Sequence, residues 1–291
     1  KGVMRDHRGA VNTLLDMNER FRVTERDKVL ALSALSFDLS VYDIFGTLAA
    51  GGTIVFPEAA DRKDPAHWME LLQRERVTIW NSVPALMSML VEYCMSEGER
   101  LPDDLRLVLM SGDWIPIKLP DQIRGLKLDV ELVSLGGATE ASIWSILYPI
   151  GEVNPQWTSI PYGKPMKRQG VHVLNAALEP CPVWVPGQLY ISGVGLAKGY
   201  FRDEDKTNAS FIRHPRTGER LYRTGDLGRY LPDGNIEFLG REDFQVKVQG
   251  YRIELGEIES AIVQHAHVRD AVAVVASGPD GKQRIAAYVV L

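Results

Sequence analysis

The sequence predicts an α/β fold: a helix-covered, mostly parallel sheet, then a barrel-like β subdomain and a partial small α+β unit. Three observations predict it. Short apolar strand patterns alternate with helical ones up to about Pro149. Gly and Pro then become frequent between short β runs, as in an antiparallel barrel. From Gln245 a strand, a helix and two more strands follow.

The elements can be taken in order. His7 to Phe21 carries Val11, Leu14, Leu15 and Phe21 at helical spacing, which predicts an amphipathic helix. Val29 to Leu35 reads as a buried strand. Ser36, Asp38 and Ser40 offer N-cap oxygens to an apolar helical stretch from Leu39 to Ala50, stopped by Gly51-Gly52. Thr53 to Phe56 is a strand ended by Pro57. Asp64-Pro65 is a cap with Pro at the first helical position, opening a helix with Trp68, Leu71 and Leu72 on one face. Val77 to Trp80 is the next strand, Pro84 opens a helix to about Tyr93, and Leu105–Met110 and Val130–Leu135 repeat the strand pattern. Short β runs then fall at Val171–Leu174, Gln188–Ser192, Leu221–Thr224 and Asn235–Leu239, with a tight turn at Pro232-Asp233-Gly234. The last unit has a strand at Val246 and Val248 and a helix from Gly256 to His265. Its strands Ala271–Ala276 and Ile285–Leu291 are joined by Gly278-Pro279-Asp280-Gly281.

Composition excludes several classes. The 291 residues carry 33 Lys plus Arg against 38 Asp plus Glu, a net charge of −5, with 45% hydrophobic and 24% charged residues. That is a globular balance, not a collagen-like, disordered or disulfide-framework one, and the length suggests two domains. With no basic run, no nucleic-acid partner is expected. Cys94 and Cys181 lie far apart without metal-ligand spacing, which argues against a metal cluster and for a reducing, cytoplasmic setting. No apolar run nears the ~18–20 residues that cross a bilayer, so no membrane is expected, and there is no signal-peptide pattern. The chain begins Lys1-Gly2-Val3 without an initiator Met, as a part of something longer would.

Five segments carry chemistry. Leu135-Gly136-Gly137-Ala138-Thr139-Glu140 follows a strand: its glycines admit a ligand to the backbone, and a hydroxyl beside a carboxylate suits phosphate and a hard cation. The alternative is a Gly-rich turn with Glu140 capping a helix. Tyr222-Arg223-Thr224-Gly225-Asp226-Leu227 sets a carboxylate after a strand, for ribose hydroxyls or as a solvated turn. Gly187-Gln188-Leu189-Tyr190-Ile191-Ser192-Gly193 through Gly199-Tyr200 is structural. Gly240-Arg241-Glu242-Asp243 through Glu259 is either a hinge or a fixed linker. In Ser36-Phe37-Asp38-Leu39-Ser40, Asp38 is either a helix N-cap or a buried anion awaiting a cationic group.

In this order the segments resemble the adenylation domains of nonribosomal peptide synthetases, in the acyl-CoA ligase and luciferase superfamily of AMP-forming enzymes. The resemblance spans essentially the whole chain, and Lys1-Gly2-Val3 is similar to the tail of the family's phosphate loop. It implies residues 1–242 as the C-terminal part of the core (1–150 α/β, 151–242 β-rich) and 243–291 as part of a small subdomain. It also implies an enzyme that joins an amino acid to ATP, releases pyrophosphate, and loads the acyl group on a carrier domain's phosphopantetheine. Thr139 would contact phosphate and Glu140 would hold Mg²⁺, with Gly112, Gly136 and Gly137 beside the nucleotide. Asp226 and Arg241 would bind ribose, and Asp243 would be the pivot. Asp38 would pair with the substrate ammonium.

The pocket positions fall on Asp38, Leu39, Tyr42, Asn81, Leu109, Ser111, Leu135, Ile143 and Trp144, a set similar to cysteine-activating domains of siderophore synthetases of the pyochelin and yersiniabactin kind. The apolar members are equally compatible with ordinary core. Other readings are a different small amino acid, or a non-catalytic scaffold docking a carrier or an inserted domain. Intact Asp38, Glu140, Asp226 and Arg241 argue against a scaffold.

Two departures stand out. Gly136 replaces the family's adenine-stacking aromatic, so that contact must come from elsewhere. The chain also stops at Leu291, before the terminal catalytic lysine, about where some relatives insert a methyltransferase. The chain by itself is therefore expected to be poorly active.

Overall fold

A computed structural model describes residues 2–157, 159–242, 245–248, 251–265, 267–277 and 283–290. It forms two compact units, Lys1–Leu239 and Gly240–Leu291.

The first unit opens with strand β1 (Val3–Met4) and helix α1 (His7–Arg20), capped by Asp6, which accepts from the Arg8 backbone N–H at 3.0 Å. Val11 and Leu15, expected on its apolar face, are instead 46% and 53% exposed. Polar anchors set the rotation of the helix. Thr13 Oγ1 donates to the Ser142 carbonyl at 3.0 Å, and Asp16 accepts from the Lys167 N–H at 2.8 Å. Thr13, Leu14, Asp16 and Met17 are therefore turned inward. β2 (Lys28–Ala31) ends before the expected Leu35, because the Leu32 N–H turns back to the Leu30 carbonyl and leaves Leu35 exposed.

The stretch expected as one helix from Leu39 is broken. α2 (Leu39–Val41) runs into a π turn (Tyr42–Gly46) and then α3 (Thr47–Ala49). Asn18 Nδ2 donates to the Gly46 carbonyl at 2.8 Å, beside the helical bond which that carbonyl accepts from the Ala50 N–H at 3.3 Å.

There follow β3 (Thr53–Val55), α4 (Pro65–Arg74), β4 (Ile79–Ser82), α5 (Pro84–Glu97), β5 (Leu107–Ser111), α6 (Leu119–Leu126), β6 (Glu131–Gly136), β7 (Ile146–Pro149) and β8 (Lys164–Pro165). Asp64 caps α4 as expected, accepting from the Ala66 N–H at 3.0 Å. Helix α6 was not expected from the sequence, where Pro120 and Gly125 obscure its pattern. The seven strands lie in the order β3-β2-β4-β5-β6-β7-β8, parallel from β3 to β6 and antiparallel thereafter. Parallel neighbours need crossovers, and the intervening helices supply them.

Both faces of this sheet are covered. Trp80, Val108, Met110 and Leu132 pack under Trp68, Leu72, Leu90 and Ile123. On the other face Ile79, Leu107, Leu109, Val133 and Leu135 meet Leu14, Met17, Leu39 and Tyr42. Each such large side chain taken out of water contributes roughly 1.5–3 kcal/mol.

The antiparallel part comprises β9 (Gln169–Leu174), β10 (Gly187–Gly193), β11 (Gly199–Tyr200), α7 (Glu204–Ser210), β12 (Phe211–Arg213), β13 (Arg220–Tyr230) and β14 (Ile236–Arg241). Its sheet runs β12-β13-β10-β9, with β14 also on β13. β11 pairs instead with β1, Tyr200 opposite Val3.

The second unit has a hairpin of β15 (Gln245–Val248) and β16 (Tyr251–Glu254), helix α8 (Leu255–Val263), and the antiparallel pair β17 (Asp270–Ser277) and β18 (Gln283–Val290). The expected turn at 278–281 lies outside the described residues. This is the helix-covered, mostly parallel sheet followed by an antiparallel β part that the sequence predicted. Among the described residues no helix is long and apolar enough to cross a membrane.

Candidate active site

β6 ends at Gly136 and the chain passes into a single 3₁₀ turn, Thr139–Ala141. Glu140 in that turn is 0% exposed and caps no helix; its Oε1 accepts from the Tyr200 hydroxyl at 2.8 Å. The β1–β11 pairing holds Tyr200 in place, and burial, with the Glu140 charge beside it, pushes the Tyr200 hydroxyl up to about 12. A carboxylate this deep needs polar or cationic partners, which is the first sign of a site.

Asp38 opens α2 but makes no cap hydrogen bond. Its side chain is 10% exposed, and buried Oδ2 has no hydrogen-bond partner. Burial raises its carboxyl above the ordinary value; a Thr139 hydrogen bond and the Arg5 charge pull it down, and the Glu140 charge pushes it up. Arg5 Nη1, also buried without a hydrogen bond, lies 3.7 Å from Oδ2. The fold thus gathers Arg5, Asp38, Thr139 and Glu140. Of the two roles open to Asp38, the cap is not made.

The expected pocket positions also converge. Leu39, Tyr42, Leu109, Leu135, Ile143 and Trp144 belong to one buried cluster, with the Tyr42 and Trp144 rings 5.2 Å apart. Parallel register sets Asn81 beside Leu109 and Ser111 beside Leu135. Strand alternation turns Asn81 and Ser111 to the same face as Ile79 and Leu109. Ser111 Oγ, Asn81 Oδ1 and Trp144 Nε1 are buried there without hydrogen-bond partners. Buried polar groups are rarely left unpaired, so such a concentration marks a place shaped for a ligand.

Backbone strain falls at the same spot. Ser142 and Ile143 both have positive φ, 64° and 74°. For β-branched Ile143 this costs about 1–3 kcal/mol. The turn is held by Ser142 Oγ donating to the Gly195 carbonyl at 2.7 Å and by the Ser145 N–H reaching the Gly136 carbonyl at 2.8 Å.

The two glycines before Ala138 have a packing role the sequence did not reveal. A Cβ on Gly136 would lie 1.8 Å from the Tyr162 ring, and one on Gly137 would lie 2.4 Å from the Ile143 carbonyl oxygen. Tyr162 therefore fills the space of the absent aromatic. Its ring is backed by Phe238 at 5.6 Å, and Phe238 by Trp114 at 5.0 Å. Gly112 turns the chain after β5 with φ 86°.

Asp226 is no solvated turn residue. It lies within β13 at a bulge where the register with β10 shifts, and it is 9% exposed. Gly225 takes φ 77° there, and Thr224 Oγ1 both donates to the Leu189 carbonyl and accepts from the Asp226 N–H. Arg241 ends β14, in the second unit. Asp243 lies outside the described residues.

Four residues escaped the sequence reading: Arg5, Asp43, Tyr162 and Tyr200. Only Tyr200 had a signal, ending the Gly187–Tyr200 motif; the others depend on contacts distant in sequence.

Asp43 also sets a pH dependence. Burial raises its carboxyl to about 7, against the lowering effect of bonds from Asn81 and Ser33. A carboxyl whose folded value exceeds its unfolded one favours folding below the unfolded value, and that advantage disappears as pH rises through the folded one. Stability is therefore expected to fall between about pH 4 and pH 7 by a few kcal/mol, and Asp43→Asn should flatten this decline. Urea midpoints of both proteins across that range check it.

Comparison with known proteins agrees with this geometry. The family described as AMP-binding enzyme matches residues 1–201. Pyochelin synthetase PchF of Pseudomonas aeruginosa is 52% identical over all 291 residues, which are 16% of its own length. The nonribosomal peptide synthetase FmoA3 (S1046A), in its α-methyl-L-serine-AMP bound form, is 48% identical with TM-score 0.80, over 88% of this chain and 29% of that one. PA1221, containing adenylation and PCP domains, is 27% identical with TM-score 0.84, over 92% and 46%. The chain thus spans a minor part of each of these proteins. It belongs to the AMP-binding enzyme family, among the adenylation domains of the nonribosomal peptide synthetases.

Proposed function

We propose that the protein adenylates L-cysteine with ATP and then loads it as a thioester on the phosphopantetheine of a carrier domain. The setting would be cytoplasmic assembly of a siderophore-like peptide alongside neighbouring synthetase domains. One observation carries this reading: a buried carboxylate, Asp38, lies at the edge of an apolar cluster lined with polar atoms that lack partners. An ammonium would satisfy Asp38, and a small side chain bearing a polar hydrogen would meet Asn81 and Ser111.

The substrate carboxylate oxygen attacks the α-phosphorus, the bond to the β-phosphate oxygen breaks, and pyrophosphate leaves. Asp38 fixes the ammonium, Thr139 reaches phosphate, and Asp226 holds ribose. Tyr162 offers an aromatic face to the adenine in place of a side chain at 136. The residues present fit Mg²⁺: buried Glu140 is a single hard carboxylate, and magnesium is commonly held by one or two carboxylates plus phosphates. Bound there, it would neutralise charge on the departing pyrophosphate.

Amino-acid-dependent ATP–pyrophosphate exchange in the full-length protein tests the substrate. Cysteine should exceed serine and alanine by about 10- to 100-fold in kcat/KM. Exchange driven by serine or alanine and not by cysteine would show that the pocket takes another small amino acid.

A further inference from the structure

Beside the pocket lies a buried carboxyl that the reaction above does not use. Asp43 sits in the π turn next to Tyr42 and is 1% exposed. Its Oδ1 accepts from Asn81 Nδ2 at 2.7 Å, and Asn81 is 0% exposed. In its ionised form the Asp43 carboxylate only accepts, so this bond, in which Asn81 Nδ2 is the donor, orients the carboxamide. The NH₂ of Asn81 faces Asp43, which leaves Oδ1 as a buried acceptor without a partner. Ser111 Oγ, on the adjacent strand and the same sheet face, is also buried without one. An unconstrained carboxamide could equally present its NH₂ and would accept a different ligand.

We infer that Asp43 is a positioning residue for side-chain specificity: by holding the Asn81 carboxamide it keeps an acceptor available, so the pocket selects a side chain ending in S–H or O–H over an apolar one of equal size. The inference rests on the ligase reading of the pocket. An apolar isostere would fill the volume but leave the acceptor buried and unpaired, and sites built around a hydrogen bond reject such analogues far more strongly than shape alone does. The roles within the pocket are then divided. Asp38 reads the backbone ammonium, and the Asp43–Asn81 pair reads the side chain.

Cysteine and 2-aminobutyrate differ by a thiol against a methyl group, so the ratio of their kcat/KM values in ATP–pyrophosphate exchange isolates this contact. Asp43→Asn, whose carboxamide can donate as well as accept, should lower that ratio about tenfold, mainly by raising KM for cysteine. Asn81→Ala should lower it similarly, and adding Asp43→Asn to Asn81→Ala should lower it no further, because the two residues act as one unit. A ratio unchanged within about twofold, a loss shared equally by both amino acids, or additive effects of the two substitutions would overturn the inference. If Asp43→Asn does not fold, Asn81→Ala decides, and an unchanged ratio there overturns it too. Cysteine exchange with an unaltered ratio in the variants would defeat this inference alone. A wild-type protein that activates only apolar amino acids would defeat the cysteine reading along with it.

Discussion

Asp38→Asn is expected to lower kcat/KM for the amino acid by about 100-fold or more, chiefly through KM, while nucleotide affinity is retained. Removing one member of a buried charge pair costs about 2–5 kcal/mol, since the other charge is left without compensation. The substrate ammonium would be that charge. Arg5 makes the prediction sharper. Its guanidinium lies 3.7 Å from Asp38 and balances the carboxylate before any substrate arrives, without a hydrogen bond between them. A partner so loosely held is one that an ammonium can replace. Arg5→Met should therefore move KM for the amino acid the opposite way, downward by severalfold, in the same exchange assay. A rise in both variants would mean that the pair is needed only for folding.

Glu140→Gln is expected to reduce kcat by about 10²–10³-fold with little change in KM for the amino acid. The carboxamide oxygen can still accept from the Tyr200 hydroxyl, so the β11 contact and the local fold survive. The negative charge that would hold a magnesium ion against the triphosphate does not survive. The loss should shrink as magnesium is raised if the weakened ion site is the cause; single-turnover kinetics at several magnesium concentrations would show it. An equal loss at every concentration would place the role of Glu140 in folding.

The parallel sheet was legible because its strands are short apolar runs bounded by helix signals such as Asp64-Pro65 and Pro84. Helix α1 was legible in extent but not in rotation. Its inward polar residues answer to Ser142 and Lys167, more than a hundred positions away. The π turn at Tyr42–Gly46 was hidden because its composition is that of an ordinary helix. In the site, the family resemblance named candidate pocket positions, but what bonds to them could not be read. Asp43 meets Asn81 across 38 residues, and Tyr162 explains Gly136 only once both are placed in space. Asp226 looked like a turn residue because Thr224-Gly225-Asp226 carries turn chemistry, which the chain uses here to build a bulge inside a strand.

The account turns on Asp38 receiving an ammonium within a pocket that adjoins the nucleotide. Wild-type ATP–pyrophosphate exchange with cysteine and with 3-mercaptopropionate, the same molecule without its amino group, measures this directly. The account predicts exchange with cysteine and, for the deaminated analogue, a rate lower by at least about 100-fold. Comparable exchange with both compounds would contradict it.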